Sequence, residues 1–191
     1  VAVVTFFLNM IALWKQEARD PKKTKSMSKD IEFKIIWKKF LGTPKVKRFF
    51  LALAIGTAAF SMQDVILEPY GGQILAMSVS ETTLLTTFSS SGAFFAFGFA
   101  AWVLNKNVNA SRLAAVGALI GVIGFSLIVF AEPTNLIFLF ILGVFCIGFG
   151  GGLFSICCLV QAMKLDTGGF SGLVIGAWGG VQAIAMGVGI A

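Results

Sequence analysis

Long apolar segments separated by short polar connections set the pattern of this chain. Five of them are long enough to cross about 30 Å of hydrocarbon, which takes roughly 20 residues of helix. These predicted spans are 49–67, 82–104, 113–131, 136–161 and 170–191. A sixth apolar run, 1–14, is too short to span, and both chain ends fall within apolar sequence. We therefore expect a piece of a larger, transporter-sized protein, all-α in class and folded as a polytopic membrane helix bundle.

The composition excludes a soluble domain and most kinds of enzyme. Hydrophobic residues make up 57 % of the chain and charged residues only 13 %, where a soluble domain carries about 25 %. The chain contains no histidine, which removes catalytic triads, two-histidine metal sites and an imidazole ligand for a haem or chlorophyll. Its three cysteines have no zinc or iron–sulfur spacing, so no metal site is predicted. With no nucleophile–base pair or cofactor motif, we do not expect an enzyme.

Basic residues are concentrated before the first full span and predict the orientation of the chain. Of the 15 basic residues, 12 lie between Lys15 and Arg48. The other three, Lys106, Arg112 and Lys164, fall in alternate connections. By the positive-inside rule, 15–47 and these connections are cytoplasmic. Membrane lipids explain the basic surplus better than nucleic acid, which we do not expect as a partner.

The basic segment 15–47 contains one amphipathic stretch near 30–41. Its apolar residues follow the spacing of one helical face: Phe33, Ile36, Trp37, Phe40 and Leu41. Asp30 is placed to begin such a helix and Pro44 to end it. The pattern favours a helix lying in the cytoplasmic membrane interface. An ordinary central loop, whose basic residues only set the topology, is the alternative.

Glycines recur at helical spacing inside the spans. The two clearest series are Gly117 with Gly121, and Gly172 with Gly176 and Gly180. Small residues let helix backbones approach closely in lipid, so both series predict helix–helix packing. Packing within the bundle is favoured over pairing with a separate protein. A phenylalanine-rich face in the second span, by contrast, fits lipid better than an apolar cofactor groove.

Intramembrane acids are costly and usually functional, and one cluster holds them here. Asp64 and Glu68 are four residues apart and share a helix face, with Gln63 and the sole tyrosine, Tyr70, nearby. The cluster would suit proton coupling, a polar substrate, or oxygen ligation of a hard cation such as chlorin magnesium. Alternatively, residues 69–72 simply end the helix and leave both acids at the wet interface.

Two other acids have simpler interpretations. Glu132 precedes Pro133 and is predicted to lie in a turn at the interface. Glu81 is followed by Thr82 and Thr83 and predicts a helix start, where an acid complements the helix dipole.

The run QDVILEPYGGQILAMSVSETTLLT, residues 63–86, resembles the signature of a known family. It is similar to the bacteriochlorophyll-delivery (PucC/LhaA-type) family of the major facilitator superfamily. In that family a QDxLLEPYGG-like segment follows the seventh helix, and a GMSV…TT stretch leads into the eighth. The matching positions are Gln63, Asp64, Leu67, Glu68, Pro69, Tyr70, Gly71, Gly72, Met77, Ser78, Val79, Thr82 and Thr83.

The resemblance implies the C-terminal half of a twelve-helix major facilitator fold. Residues 1–14 would end helix six, 15–47 would be the central loop, and 48–191 would hold helices seven to eleven. The connection 105–112 departs from the family pattern, since it lacks the glycine- and arginine-rich signature common in facilitator transporters. That departure weighs against classical solute transport.

The resemblance also implies a function in the assembly of light-harvesting antenna complexes, in a bacterial inner membrane or an intracytoplasmic photosynthetic one. The protein would bind bacteriochlorophyll transiently, with Gln63, Asp64, Glu68 and Tyr70 contacting it, and deliver it to antenna polypeptides. The reaction-centre core complex is a further implied partner. The alternatives are a proton-coupled small-solute transporter and a structural subunit retained in a photosynthetic complex.

Overall fold

The computed structural model describes residues 7, 10, 11, 42–134, 136–165 and 171–191. The chain divides into two compact units, Val1–Leu41 and Gly42–Ala191. In the first unit the three described residues are helical. Nearly all of the expected helix end at 1–14, and the whole of the expected interfacial helix near 30–41, lie outside the described residues.

Six helices form the described part of the second unit, and no strand occurs there. They are α1 (Pro44–Ser61), α2 (Gln63–Gln73), α3 (Val79–Leu104), α4 (Ala110–Thr134), α5 (Ile137–Lys164) and α6 (Ser171–Ile190). Because α1 and α2 join into one apolar stretch of 30 residues, the six helices supply five candidate membrane spans. The all-α bundle predicted from the hydropathy pattern is confirmed.

Several helices extend beyond the apolar segments that predicted them. Helix α1 begins at Pro44, within the segment expected to be loop, because proline's missing N–H costs nothing at the first helical position. Helix α4 continues through Glu132 and Pro133 to Thr134, so the predicted turn at these residues is wrong. The Thr134 hydroxyl donates to the Phe130 carbonyl at 2.8 Å and satisfies an acceptor in the last turn.

Helices α1 and α2 meet at Met62, whose own backbone angles are helical. Hydrogen bonds from Met62 N–H to the Ala58 carbonyl (3.2 Å) and from Ile66 N–H to the Met62 carbonyl (3.3 Å) keep the backbone helical across it. Further along, Pro69 lies inside α2, where its ring crowds the preceding turn and removes a backbone donor. The alternative that residues 69–72 end the span is close to what is found, since α2 ends at Gln73, one residue beyond them.

Helix α3 begins with a complete capping box. The backbone N–H of Ser78 donates to a Glu81 carboxylate oxygen at 2.7 Å, and the Ser78 hydroxyl accepts from the Glu81 N–H at 3.4 Å. Two backbone donors are satisfied in this way at the helix start. The predicted helix start at Glu81 is confirmed.

Helix α5 is the centre of the bundle and packs along both α3 and α4. Glycines make these crossings close enough for backbone contact. A methyl group at Gly150 would lie 2.6 Å from the backbone oxygen of Gly117, and one at Gly124 would lie 2.9 Å from that of Gly143. On the other side, Gly148 of α5 lies directly against the backbone of Ser89 in α3. No larger residue fits at these points without moving a helix.

A buried apolar cluster joins α2, α3, α4 and α5 at the end of the bundle where α2 lies. Its buried members are Leu67, Leu85, Ile128, Ala131, Phe140, Val144 and Ile147. Gly71 packs into this cluster, 3.4 Å from both Leu85 and Phe140 as measured from an added methyl. Part of the 63–72 motif therefore serves helix packing, because Gly71 has no side chain and lets α2 lie close to α3 and α5.

Candidate functional site

A polar groove lies beside the junction of α1 and α2 at Met62. It consists of two adjoining cavities, an inner one of about 270 Å³ and an outer one of about 340 Å³. Both are lined by Gln63, Asp64, Ser89 and Ser90. The inner cavity is also lined from α1, α5 and α6, by residues that include Thr57, Ser155 and Gln182. The outer cavity adds Glu68 and Thr86.

The two acids of α2 meet in the outer cavity, on the common helix face expected from their spacing. Asp64 and Glu68 are both exposed in the described chain. No lysine or arginine is among the residues that line either cavity. The groove is therefore electronegative and offers hydroxyl, amide and carboxylate groups without a fixed cation.

Two groove oxygens lack a hydrogen-bond partner among the described residues. The Thr57 side chain is only 6 % exposed, yet its hydroxyl has no partner. The side-chain oxygen of Gln63 is likewise buried and accepts no hydrogen bond. By contrast, Gln182 donates to the Ser155 hydroxyl at 3.0 Å across the α5–α6 contact. Leaving a buried polar group unpaired costs about 1–3 kcal/mol, so unpaired oxygens in a cavity indicate room for a polar ligand or water.

Tyr70 lies apart from the groove, although it is close in sequence to the acids. Its ring stacks on Phe140 with centroids 5.7 Å apart, and its hydroxyl donates to a Glu132 carboxylate oxygen at 3.5 Å. It lines neither cavity. The predicted four-residue cluster therefore divides into Gln63, Asp64 and Glu68 in the groove and Tyr70 on the α4–α5 side. Helical spacing separates Tyr70 from Glu68, two residues away, but not from Gln63, seven residues away. The stack on Phe140 is what holds the Tyr70 ring on the α4–α5 side.

Sequence reasoning missed three groove features. Thr57, Ser155 and Gln182 come from three different helices, and no spacing rule connects them. Their signal was only that each is polar within an apolar span. The contact of Glu132 with Tyr70 was missed for another reason: a helical Glu132, rather than one in a turn, brings its carboxylate to α2.

The two predicted glycine series have different surroundings. Gly117 lies against the α5 backbone, and Gly121 lies under the Phe60 ring, where an added methyl would come within 2.6 Å. Gly172, Gly176 and Gly180 have nothing within 4 Å of an added methyl among the described residues. The internal packing expected for this second series is therefore not found in the described bundle, because α6 turns these glycines away from it.

Three other features considered from the sequence are the phenylalanine-rich face, the cysteines and a possible metal site. The phenylalanine face of α3 is exposed, with Phe94 and Phe95 at 73 % and 59 %. Cys157 and Cys158 are buried in α5 as free thiols. Within residues 42–134, 136–165 and 171–191, no group of three or more acids and cysteines comes together as a metal site.

Comparison with known proteins identifies the family. The family model "PUCC protein" matches residues 1–191. The chain is 44 % identical over 191 residues to Protein PucC of Cereibacter sphaeroides, covering 100 % of this chain and 42 % of the relative. It is 39 % identical to Protein PucC of Rhodovulum sulfidophilum, with coverage of 100 % and 42 %.

A more distant relative is the "Bacteriochlorophyll synthase 44.5 kDa chain" of Rhodobacter capsulatus, 29 % identical, covering 99 % of this chain and 46 % of that protein. No solved structure matches the chain significantly. The chain thus spans about two fifths of the length of the PucC proteins it matches. With its full length matched by the family model and five candidate membrane spans, this multi-pass membrane protein belongs to the PucC family.

Proposed function

We propose that the protein is a light-harvesting antenna assembly factor that binds bacteriochlorophyll and delivers it to antenna polypeptides in a photosynthetic bacterial membrane. Membership of the PucC family over residues 1–191 carries this proposal. The Rhodobacter capsulatus relative is named "Bacteriochlorophyll synthase 44.5 kDa chain", and this name supports an association of such chains with bacteriochlorophyll. The proposed activity is that of the whole protein, of which this chain would supply one part.

The polar groove supports pigment binding by its chemistry and limits how the pigment would bind. Oxygen atoms are the ligands that magnesium prefers, and the groove presents them from Gln63, Asp64 and Glu68. Ligand cavities usually measure roughly 300–1,000 Å³, so cavities of about 270 and 340 Å³ are small. They would receive part of a tetrapyrrole and leave its remainder against other surfaces.

A delivery role requires binding that is reversible, and the groove fits that requirement. The chain contains no histidine, so any magnesium ligand it supplies would be an oxygen, and the small cavities would hold the pigment by only part of its surface. The protein would therefore hold pigment for transfer without catalysing a reaction. Exposed apolar faces such as the Phe94 face of α3 are suited to contact antenna helices in the membrane.

The experiment that tests the proposal begins with the full-length protein, purified in mild detergent from its native photosynthetic membrane. We expect near-infrared absorption from bound bacteriochlorophyll, together with antenna polypeptides that co-purify. In Asp64→Ala and Glu68→Ala variants, we expect less bound pigment and less assembled antenna. A colourless protein without partners, or variants that bind pigment and assemble antenna normally, would contradict the proposal for this groove.

A proton-coupled solute transporter is the second candidate, and the same groove favours it. The two carboxylates of α2 and the serine hydroxyls of α3 line the same cavity. This arrangement resembles the intramembrane sites that transporters use. Uptake of solutes into vesicles containing the purified protein, driven by a proton gradient and lost in Asp64→Asn, would support transport. Absence of uptake, with pigment bound, would favour delivery.

A further inference from the structure

We infer that the end of α3 predicted to be cytoplasmic holds an anionic phospholipid, with the headgroup on Lys106 and an acyl chain along the rings that precede it. Phe95, Phe99 and Trp102 form this aromatic stripe. Their spacing of four and three residues, followed by four more to Lys106, keeps all four side chains on one helical face. At 1.5 Å per residue the face is about 16 Å long, which matches one half of a hydrocarbon layer about 30 Å thick.

The aromatic stripe lies beside α5 and is open to the membrane in the described bundle. Phe95 lies 6.2 Å from Phe145, and Phe99 lies 5.9 Å from Phe149, as measured between ring centroids. The two α5 rings are half-buried, whereas Phe95 and Trp102 are 59 % and 60 % exposed. An acyl chain therefore has apolar contacts from both helices along this seam.

Lys106 supplies a positive charge at the end of the aromatic stripe. Its ammonium nitrogen lies 3.4 Å from the centroid of the Trp102 ring, which is a cation–π contact. The ring covers one side of the ammonium group. Because Lys106 is exposed, its N–H donors can also reach a phosphate oxygen. Tryptophan and lysine are typical of the depth at which lipid headgroups lie, so this pair marks the headgroup position.

The charge of the connection after α3 favours an anionic headgroup over a neutral one. Lys106 and Arg112 are both exposed, and the sequence has no acid between Glu81 and Glu132. No carboxylate from this stretch can therefore neutralise the two basic residues. The positive-inside rule places the connection on the cytoplasmic side, where the leaflet carries anionic lipids that attract basic residues. A phospholipid joins an anionic head to an apolar chain and so matches both parts of the site.

The test uses Trp102 as a probe of lipid contact in the full-length protein. The protein is reconstituted into phosphatidylcholine vesicles with a small fraction of lipid brominated on its acyl chains, either phosphatidylglycerol or phosphatidylcholine. Bromine quenches tryptophan fluorescence on contact, and the difference from Trp102→Phe isolates the signal of Trp102. We expect the anionic brominated lipid to bind about fivefold more strongly than the neutral one, as one lysine near an anionic headgroup predicts.

Two lysine variants show whether the preference belongs to this site. Lys106→Gln removes the charge and keeps a polar side chain, so it should abolish the preference. Lys164→Gln is the matched control, since Lys164 is exposed in the last turn of α5, at another end predicted to be cytoplasmic. It should keep the preference. Unlabelled phosphatidylglycerol should restore the fluorescence of Trp102, whereas inorganic phosphate should not.

Every other outcome would overturn the lipid site. Equal quenching by both brominated lipids, or a preference that survives in Lys106→Gln, would remove the role of Lys106. Loss of the preference in Lys164→Gln as well would indicate only a general attraction of the basic surface. Displacement by inorganic phosphate would indicate an anion site that needs no acyl chain. If neither lipid quenches Trp102, a protein surface such as an antenna helix covers the stripe. None of these outcomes bears on pigment delivery, from which the lipid site is independent.

Discussion

Helices α4 and α6 carry similar glycine series, yet only one series is packed. In α4, Gly117 and Gly124 lie against the backbone of α5. In α6, Gly172, Gly176 and Gly180 face open space among the described residues. The share of each apolar window that is buried follows the same division, 33 % for α4 and 11 % for α6. Glycine spacing thus predicts a face where a helix could approach closely, but not which helix fills it.

The two regions also differ in what they leave unpaired. Around α5, glycine contacts join α3 and α4 into a close-packed unit. On the α1–α6 side, the contacts leave the polar groove with the unpaired oxygens of Thr57 and Gln63. Close packing on one side and a polar cavity on the other fit the binding role proposed for the groove, since close-packed helices hold the lining residues in place.

The largest expected effect tests the packed side of this comparison. Gly150→Val would push a side chain into the Gly117 oxygen and the Gly121 backbone, so we expect a loss of about 3 kcal/mol in stability. Thermal unfolding of the purified protein in detergent measures it. Gly176→Val is the matched control, since an added methyl there has nothing within 4 Å among the described residues, and it should change stability by less than about 0.5 kcal/mol. Equal effects of both substitutions would remove the distinction between α4 and α6.

The next effect concerns the one glycine of α6 that packs tightly. A methyl added at Gly189 would lie 2.6 Å from the Ala58 backbone oxygen in α1. A methyl added at Gly187 would have nothing within 4 Å among the described residues. We expect Gly189→Val to cost about 2 kcal/mol and to weaken pigment binding, because α6 forms one wall of the inner cavity. Thermal unfolding and pigment titration measure the two effects. Gly187→Val should leave both unchanged, and a similar loss there would show that α6 packs differently.

Tyr70 tests how α2 is held against the packed side. Tyr70→Ala removes the stack on Phe140 and should cost about 1.5 kcal/mol of stability. Tyr70→Phe keeps the ring and loses only the long 3.5 Å hydrogen bond to Glu132, so we expect less than about 0.5 kcal/mol. Thermal unfolding of both variants distinguishes the contributions. A large effect of Tyr70→Phe would mean that the hydroxyl, and not the ring, fastens α2.

The smallest effect has the opposite sign. Thr57→Val replaces an unpaired, buried hydroxyl with a methyl group and should stabilise the protein by about 1 kcal/mol. Thr86→Val is the control, because Thr86 also lines the groove but is exposed. Replacing it therefore relieves no free-energy cost of burying a polar group. The temperature of thermal unfolding should rise only for Thr57→Val. Destabilisation by Thr57→Val would show that the hydroxyl has a partner in the native protein.

The sequence was sufficient to predict the spans because hydrophobic length is a local property. Each of the five apolar segments corresponds to one candidate membrane span among the described residues, and the Ser78–Glu81 box begins α3 where the acid had indicated a start. The errors of the prediction from sequence were at polar helix ends. Pro69 and Pro133 both lie inside helices, because tertiary contacts and remaining hydrogen bonds can hold a helix past a proline.

The candidate site could be predicted only in part. Asp64 and Glu68 lie together because helical spacing places residues four apart on one face, and that rule is local. The assignment of Tyr70 to the same cluster failed because the packing of α2 holds its ring against Phe140. Thr57, Ser155 and Gln182 joined the groove from separate helices, and nothing in their sequence positions connects them.

By itself, the sequence determined an all-α membrane bundle and a resemblance to one family, because both depend on composition and on contiguous residues. Tertiary structure alone decided which glycines are crossed by a neighbour and which polar atoms stay unpaired. The physical reason is that burial in a bundle depends on contacts between residues distant along the chain. Gly117 and Gly176 have the same kind of sequence surroundings, and only the placement of α5 makes one of them indispensable to packing.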